Sequence, residues 1–259
     1  MARTPLLMGN WKMYKTVAEA RAFAEALGQQ SQKLDSRIEY AICAPYTCLH
    51  VLRVMLPAQV RLGAQNVFPE KEGAYTGEIA PGMLAEFGTK YVLAGHSERR
   101  MLFGESDQFI NQKVKAIVVN GMTPVLCVGE NSSQKEDGVT KEVVTVVTGQ
   151  VLQGLDGLSA DEVASAVVAY EPVWAIGSGK TATPEDAEEV ARAIRAAVAE
   201  TWSAEAAEGL RILYGGSVKP ENVASFVREP DLDGALVGGA SLDPTSFAAM
   251  AEAIKGVLE

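Results

Sequence analysis

Residues 166–201 read AVVAYEPVWAIGSGKTATPEDAEEVARAIRAAVAET. The run Ala166 to Tyr170 is apolar throughout, which marks a strand buried on both faces, as in a parallel sheet. Further on, Thr183 offers a capping hydroxyl and Pro184 suits the first helical position. Glu185 and Asp186 put negative charge into the positively polarised first turn. The spacing predicts a helix over Pro184 to Thr201, so strand, loop and capped helix follow one another directly.

Outward from this unit the same alternation covers the chain. Apolar runs recur at Leu6 to Gly9, Tyr40 to Cys43, Val60 to Ala64, Tyr91 to Ala94, Pro124 to Val128, Ile212 to Tyr214 and Ala235 to Val237. Helical patterns occupy Val17 to Gln30, Gln108 to Val119, Lys141 to Leu155, Pro220 to Arg228 and Pro244 to Leu258. Eight strand units within 259 residues, without a linker, fit a single α/β domain over 1–259: a closed, parallel, eight-stranded (β/α)8 barrel. An open doubly wound sheet of this length usually has fewer strands.

Composition narrows the function classes. The 23 basic residues against 33 acidic ones give a net charge of −10, which opposes nucleic acid and anionic membrane surfaces. No stretch approaches the roughly 18 apolar residues of a membrane helix. The N-terminal run Leu6 to Met8 is shorter than a signal-peptide core of about 7 residues. Cys43, Cys48 and Cys127 are an odd number, as suits a reducing compartment. A cytoplasmic protein is expected.

In a barrel, chemistry sits on the loops after the strands. Those loops carry Asn10 and Lys12, Asn66, His96 with Glu98, Glu130, Glu171, Gly215-Gly216-Ser217 and Gly238-Gly239. Glu171 follows its strand directly, so its carboxylate is expected at the rim, partly desolvated and thereby a better base. A strand-end glutamate alone is more often an ordinary ion pair. The next segment changes that balance: Pro172-Val173-Trp174 is stiff, and Ala175 to Gly179 is small and pliable, as suits a lid over 172–182 whose glycine N–H can approach an anion. A P-loop reading of GSGKT fails, because Trp174 stands where the first glycine is required. A dinucleotide fingerprint fails too, because the helix begins only after Thr183.

His96 precedes a plausible helix start at Ser97-Glu98, which disfavours the imidazolium and leaves a neutral ring able to donate to a carbonyl. Lone histidines are more often structural. Lys12 is either a solvated lysine or the one full positive charge of an anion site. The glycine pairs after the last two strands are either tight turns or the backbone phosphate site common there in barrels. Cys43, Cys48 and His50 lack a convincing fourth metal ligand, so packing cysteines are the better account.

Together GNWKM at Gly9, GAQN at Gly63, GHSERR at Gly95, AYEPVWAIGSGKTA at Ala169, YGGSV at Tyr214 and VGGASL at Val237 resemble the triosephosphate isomerase family, over essentially the whole chain. The resemblance implies a homodimeric TIM barrel, without metal or organic cofactor, that interconverts dihydroxyacetone phosphate and glyceraldehyde 3-phosphate. It implies Glu171 as the base, His96 as carbonyl polariser and proton shuttle, and Lys12 with Asn10 steadying negative charge. Glu98 would partner Lys12. Gly177, Ser217, Gly238 and Gly239 would grip the phosphate, and the loop 68–81 would interlock subunits. Tyr14, Ser178 and Asn131 depart from common family residues without removing a reacting group. Two other readings use the same barrel: a Schiff-base enzyme acting through Lys12 or Lys180, and a non-catalytic phosphate-metabolite sensor.

Overall fold

The computed structural model of the chain describes residues 3–130, 141–173 and 182–259. Its strands are β1 (Leu6–Asn10), β2 (Glu39–Ala44), β3 (Val60–Ala64), β4 (Tyr91–Ala94), β5 (Thr123–Val128), β6 (Val167–Tyr170), β7 (Arg211–Tyr214) and β8 (Gly234–Val237). Each pairs in parallel with the next, and β8 pairs back onto β1 with Gly234 opposite Leu6, closing the barrel. The described helices are α1 (Val17–Gly28), α2 (Tyr46–Met55), α3 (Pro81–Glu86), α4 (Ser97–Phe103), α5 (Asp107–Val119), α6 (Lys141–Leu155), α7 (Ala160–Ser165), α8 (Pro184–Thr201), α9 (Ala204–Gly209), α10 (Val223–Val227) and α11 (Pro244–Lys255).

The unbroken apolar runs have a two-sided cause. Alternate residues such as Leu6, Met8, Cys43, Leu93, Val125, Cys127 and Ala169 fill the barrel interior. Their neighbours Leu7, Ile42, Val92, Leu126 and Val168 pack outward against helices, so both faces of the strands are covered along most of their length, the exposed Arg61 of β3 being an exception. At the barrel floor, Arg211 donates to Glu39 at 2.7 Å and to the Tyr91 hydroxyl at 2.8 Å, tying β7 to β2 and β4 across the interior.

Thr183 caps α8 as its sequence predicts, in a reciprocal pair with Asp186. The helix expected over Pro220 to Arg228 is shorter, because Asn222 takes the Lys219 N–H in a turn and helix starts only at Val223. Helices α2, α3, α7 and α9 lie where the sequence shows no clear helical pattern. Both α2 and α3 lack a side-chain cap, and α3, α7 and α9 have only 6 residues each, too few to print a clear period.

Gly234 sits at φ +143°, and a Cβ there would stand 2.0 Å from the Leu6 carbonyl oxygen across the β1–β8 seam. Gly234→Ala is expected to destabilise the fold by about 2–4 kcal/mol, combining the positive-φ penalty with overpacking against backbone. Urea unfolding measures it, and an unchanged midpoint would mean that the seam can give way without cost.

Candidate active site

The carboxyl ends of the strands bring together the residues that the sequence places after them. Asn10 ends β1 and is buried, and its Oδ1 accepts the Lys12 N–H at 3.0 Å. This bond and one from the Gln65 amide to the Lys12 carbonyl, at 2.8 Å, hold Lys12 at φ +53°. A lysine in this left-handed conformation costs about 1–2 kcal/mol, which the two bonds help to offset. Its ammonium reaches Glu98 at 2.7 Å. Gln65 also binds the Cys43 carbonyl, and sequence reasoning passed over it for its neighbour Asn66.

His96 is the N-cap of α4, and its Nδ1 accepts the Glu98 N–H at 3.2 Å. With Nδ1 acting as acceptor, the ring proton sits on Nε2, which faces Glu171 Oε1 at 2.8 Å. The other oxygen, Oε2, accepts the Ser97 N–H at 2.9 Å. Glu171 itself is fixed by its N–H on the Val128 carbonyl, at 2.7 Å, and is only 2 % exposed. Gly129 makes this approach possible, since a Cβ there would stand 1.8 Å from the Glu171 carbonyl oxygen.

Burial pushes the Glu171 pKa up, but His96, the Ser97 N–H and Lys12 outweigh it and hold the carboxyl below its ordinary range. The group is therefore a carboxylate. Burial pushes the His96 pKa down, and the carboxylates of Glu171 and Glu98 outweigh it and raise it. A second ring proton would have to sit on Nδ1, which the Glu98 N–H already occupies. Once Glu171 turns toward a substrate the main cause of the elevation is gone, and burial favours the neutral ring.

A cavity of about 350 Å³ joins Asn10, Lys12, His96 and Glu171 to Gly215, Gly216, Ser217, Gly238 and Gly239. It can hold a small anion at the glycine side and a carbonyl between His96 and Lys12, within reach of a buried base. Two other strand-end residues, Asn66 and Glu130, do not line this cavity. Asn66 accepts the buried Lys113 ammonium at 2.7 Å, and Glu130 accepts the Tyr170 hydroxyl at 3.2 Å. Gly177, Ser178, Lys180 and Asn131 lie outside the described residues, as does the lid apart from Pro172, Val173 and Ala182.

The cysteines pack as expected: Cys43 lines the barrel interior, and the Cys48 thiol donates to the Lys15 carbonyl at 3.4 Å. His50 is exposed on α2, edge-on to Phe87. Among the described residues no three His, Cys, Asp or Glu side chains are grouped to hold a metal ion.

The family model described as triosephosphate isomerase matches residues 5–254. The chain is 51 % identical over 249 residues to the triosephosphate isomerase of Carboxydothermus hydrogenoformans, covering 96 % of this chain and 98 % of that one. It is 50 % identical over 253 residues to that of Symbiobacterium thermophilum, covering 97 % of each. To that of Chloroflexus aurantiacus it is 48 % identical over 246 residues, covering 95 % and 97 %.

Proposed function

The chain belongs to the triosephosphate isomerase family, and from that membership we propose how its own residues carry the reaction. The protein interconverts dihydroxyacetone phosphate and glyceraldehyde 3-phosphate. Glu171 leaves the Ser97 N–H and His96 to take a proton from the carbon beside the carbonyl. The electron pair moves onto the carbonyl oxygen, giving an enediolate, and the same carboxyl returns the proton to the neighbouring carbon. The His96 Nε2–H, released by Glu171, donates to that oxygen and moves a proton between the two oxygens. Lys12, set by Asn10 and Glu98, offsets the developing negative charge.

Ser217 and the backbone of Gly238 and Gly239 hold the phosphate, with Gly177 from the segment 172–182 completing the grip. No metal or organic cofactor enters these steps. The observation that carries this reading is the buried Glu171 carboxylate 2.8 Å from His96 Nε2, in one cavity with Lys12 and the glycine pairs. The test is incubation of either triose phosphate in deuterated water. Isomerisation with deuterium entering at the carbon beside the carbonyl is expected, and isomerisation with no exchange would point to hydride migration instead. A Schiff base through Lys12 has less support, because that ammonium is engaged by Glu98.

The whole chain is read as one catalytic barrel that works as a homodimer. Support comes from Met13, Met101, Leu102 and Phe103, which are exposed large apolar side chains, and from a groove of about 410 Å³ beside the site, lined by Met13, Tyr46, Gln65, Glu98 and Phe103 among others. The loop 68–81 suits that groove. Its base is closed by the Phe68 N–H on the Ile79 carbonyl, and Phe68 packs on Tyr75, leaving an exposed tip. Sedimentation is expected to give twice the 27.5 kDa chain mass, and Phe103→Asp is expected to give monomers with activity reduced about tenfold or more. A fully active monomer would contradict the assignment.

No described helix is long and apolar enough to cross a membrane. A cytoplasmic setting is proposed on the three buried free cysteines, and the net charge of −10 argues against nucleic acid partners.

A further inference from the structure

We infer that Lys219 is the charge that draws the substrate's phosphate into the site, an inference that rests on the triose phosphate reading above. The difficulty it answers is electrostatic. A chain of net charge −10 must collect a ligand that itself carries about −1.5 to −2 near pH 7. Within the reacting cavity the Lys12 ammonium lies 2.7 Å from Glu98, so its field at a distance is largely cancelled, and Glu171 adds a buried negative charge. Counting Lys12, Glu98, Glu171 and Lys219, the site is neutral with Lys219 and carries −1 without it.

Lys219 lines the same cavity, two residues beyond Ser217. It is exposed, and among the described residues it has no carboxylate within 4.0 Å. Its backbone is held in place, because the Lys219 N–H donates to Asn222 Oδ1 at 2.8 Å and the Asn222 amide donates to the Ser217 carbonyl at 3.1 Å. A fixed root with a free four-carbon arm suits capture of a distant anion rather than alignment of a reacting atom. Lys219 therefore acts on the encounter, not on the proton transfer.

The test compares wild type with Lys219→Arg, Lys219→Gln and Lys219→Glu across a range of ionic strength, with glyceraldehyde 3-phosphate and with glyceraldehyde, which lacks the phosphate. At low salt kcat/KM for the phosphorylated substrate is expected to fall about fivefold in Lys219→Gln and further in Lys219→Glu, while Lys219→Arg retains it. The gap should close near 1 M salt, where the screening length is about 3 Å. Values of kcat should agree within about twofold, and glyceraldehyde should not distinguish the four proteins. A Lys219→Glu protein that tracks wild type at every salt concentration would overturn the inference. So would a loss that persists at high salt, lies in kcat, or extends to glyceraldehyde. A wild type inactive on triose phosphates would instead overturn the reading beneath it.

Discussion

In Glu171→Gln, kcat for both directions of the isomerisation is expected to fall about 10³-fold or more, since a positioned general base contributes roughly 10²–10⁴-fold. Glutamine has the same shape. Its amide oxygen can still accept one of the two bonds now made by the Ser97 N–H and the His96 Nε2–H, so the fold and the cavity should persist. Binding of a non-reacting phosphate analogue should therefore change by no more than a few fold. That split between kcat and binding is what distinguishes a base from a residue that only shapes the pocket. Steady-state kinetics with calorimetric titration of the analogue gives both numbers, and a variant retaining a tenth of the activity would remove Glu171 from the proposed role.

The second large effect belongs to His96. In His96→Ala the carbonyl loses its hydrogen-bond donor, and kcat is expected to fall by about 10²-fold or more. A pH effect should accompany the loss. In the wild type Glu171 is held below its ordinary pKa, with His96 the foremost of the groups opposing burial. A depressed carboxyl contributes stability that is present above the unfolded value of about 4.3 and is lost as pH falls through the lower folded value. Without His96, burial is opposed only by the Ser97 N–H and Lys12, so the carboxyl pKa rises. The acid limb of the residual kcat/KM profile should then move to higher pH, and the Glu171 contribution to stability should fade at higher pH than in the wild type. His96→Gln, which keeps a donor, should shift the limb less. An acid limb that stays in place in both variants would mean that His96 does not set the state of Glu171.

The strands were legible because most of their positions are buried on both faces and therefore apolar, with Arg61 of β3 an exposed exception, so even Ile212 to Tyr214 and Ala235 to Val237 were found within one residue. Among the helices, α8 was read end to end because Thr183, Pro184 and Asp186 announce its start. Helix α2 carries no such signal, because its N-cap is Pro45 and makes no side-chain cap bond. For the site, types and positions were visible but partners were not. Glu171 and Ser97 are separated by 74 positions, and nothing local says that an amide of α4 will meet that carboxylate. Gln65 was missed for a related reason. Its role consists of two bonds to distant backbone, one to the loop after β1 at Lys12 and one to β2 at Cys43, and such bonds leave no pattern around Gln65 itself.

The central claim is that the Glu171 carboxylate takes the proton from carbon. Infrared difference spectra on binding a planar, anionic, phosphate-bearing analogue of the enediolate test it most directly, because such a ligand holds the protein at the point where the proton has been removed. The expected spectrum gains a protonated carboxyl band, with loss of carboxylate absorption, and both changes disappear in Glu171→Gln. A bound complex in which Glu171 remains ionised, with the proton on another group, would contradict the account.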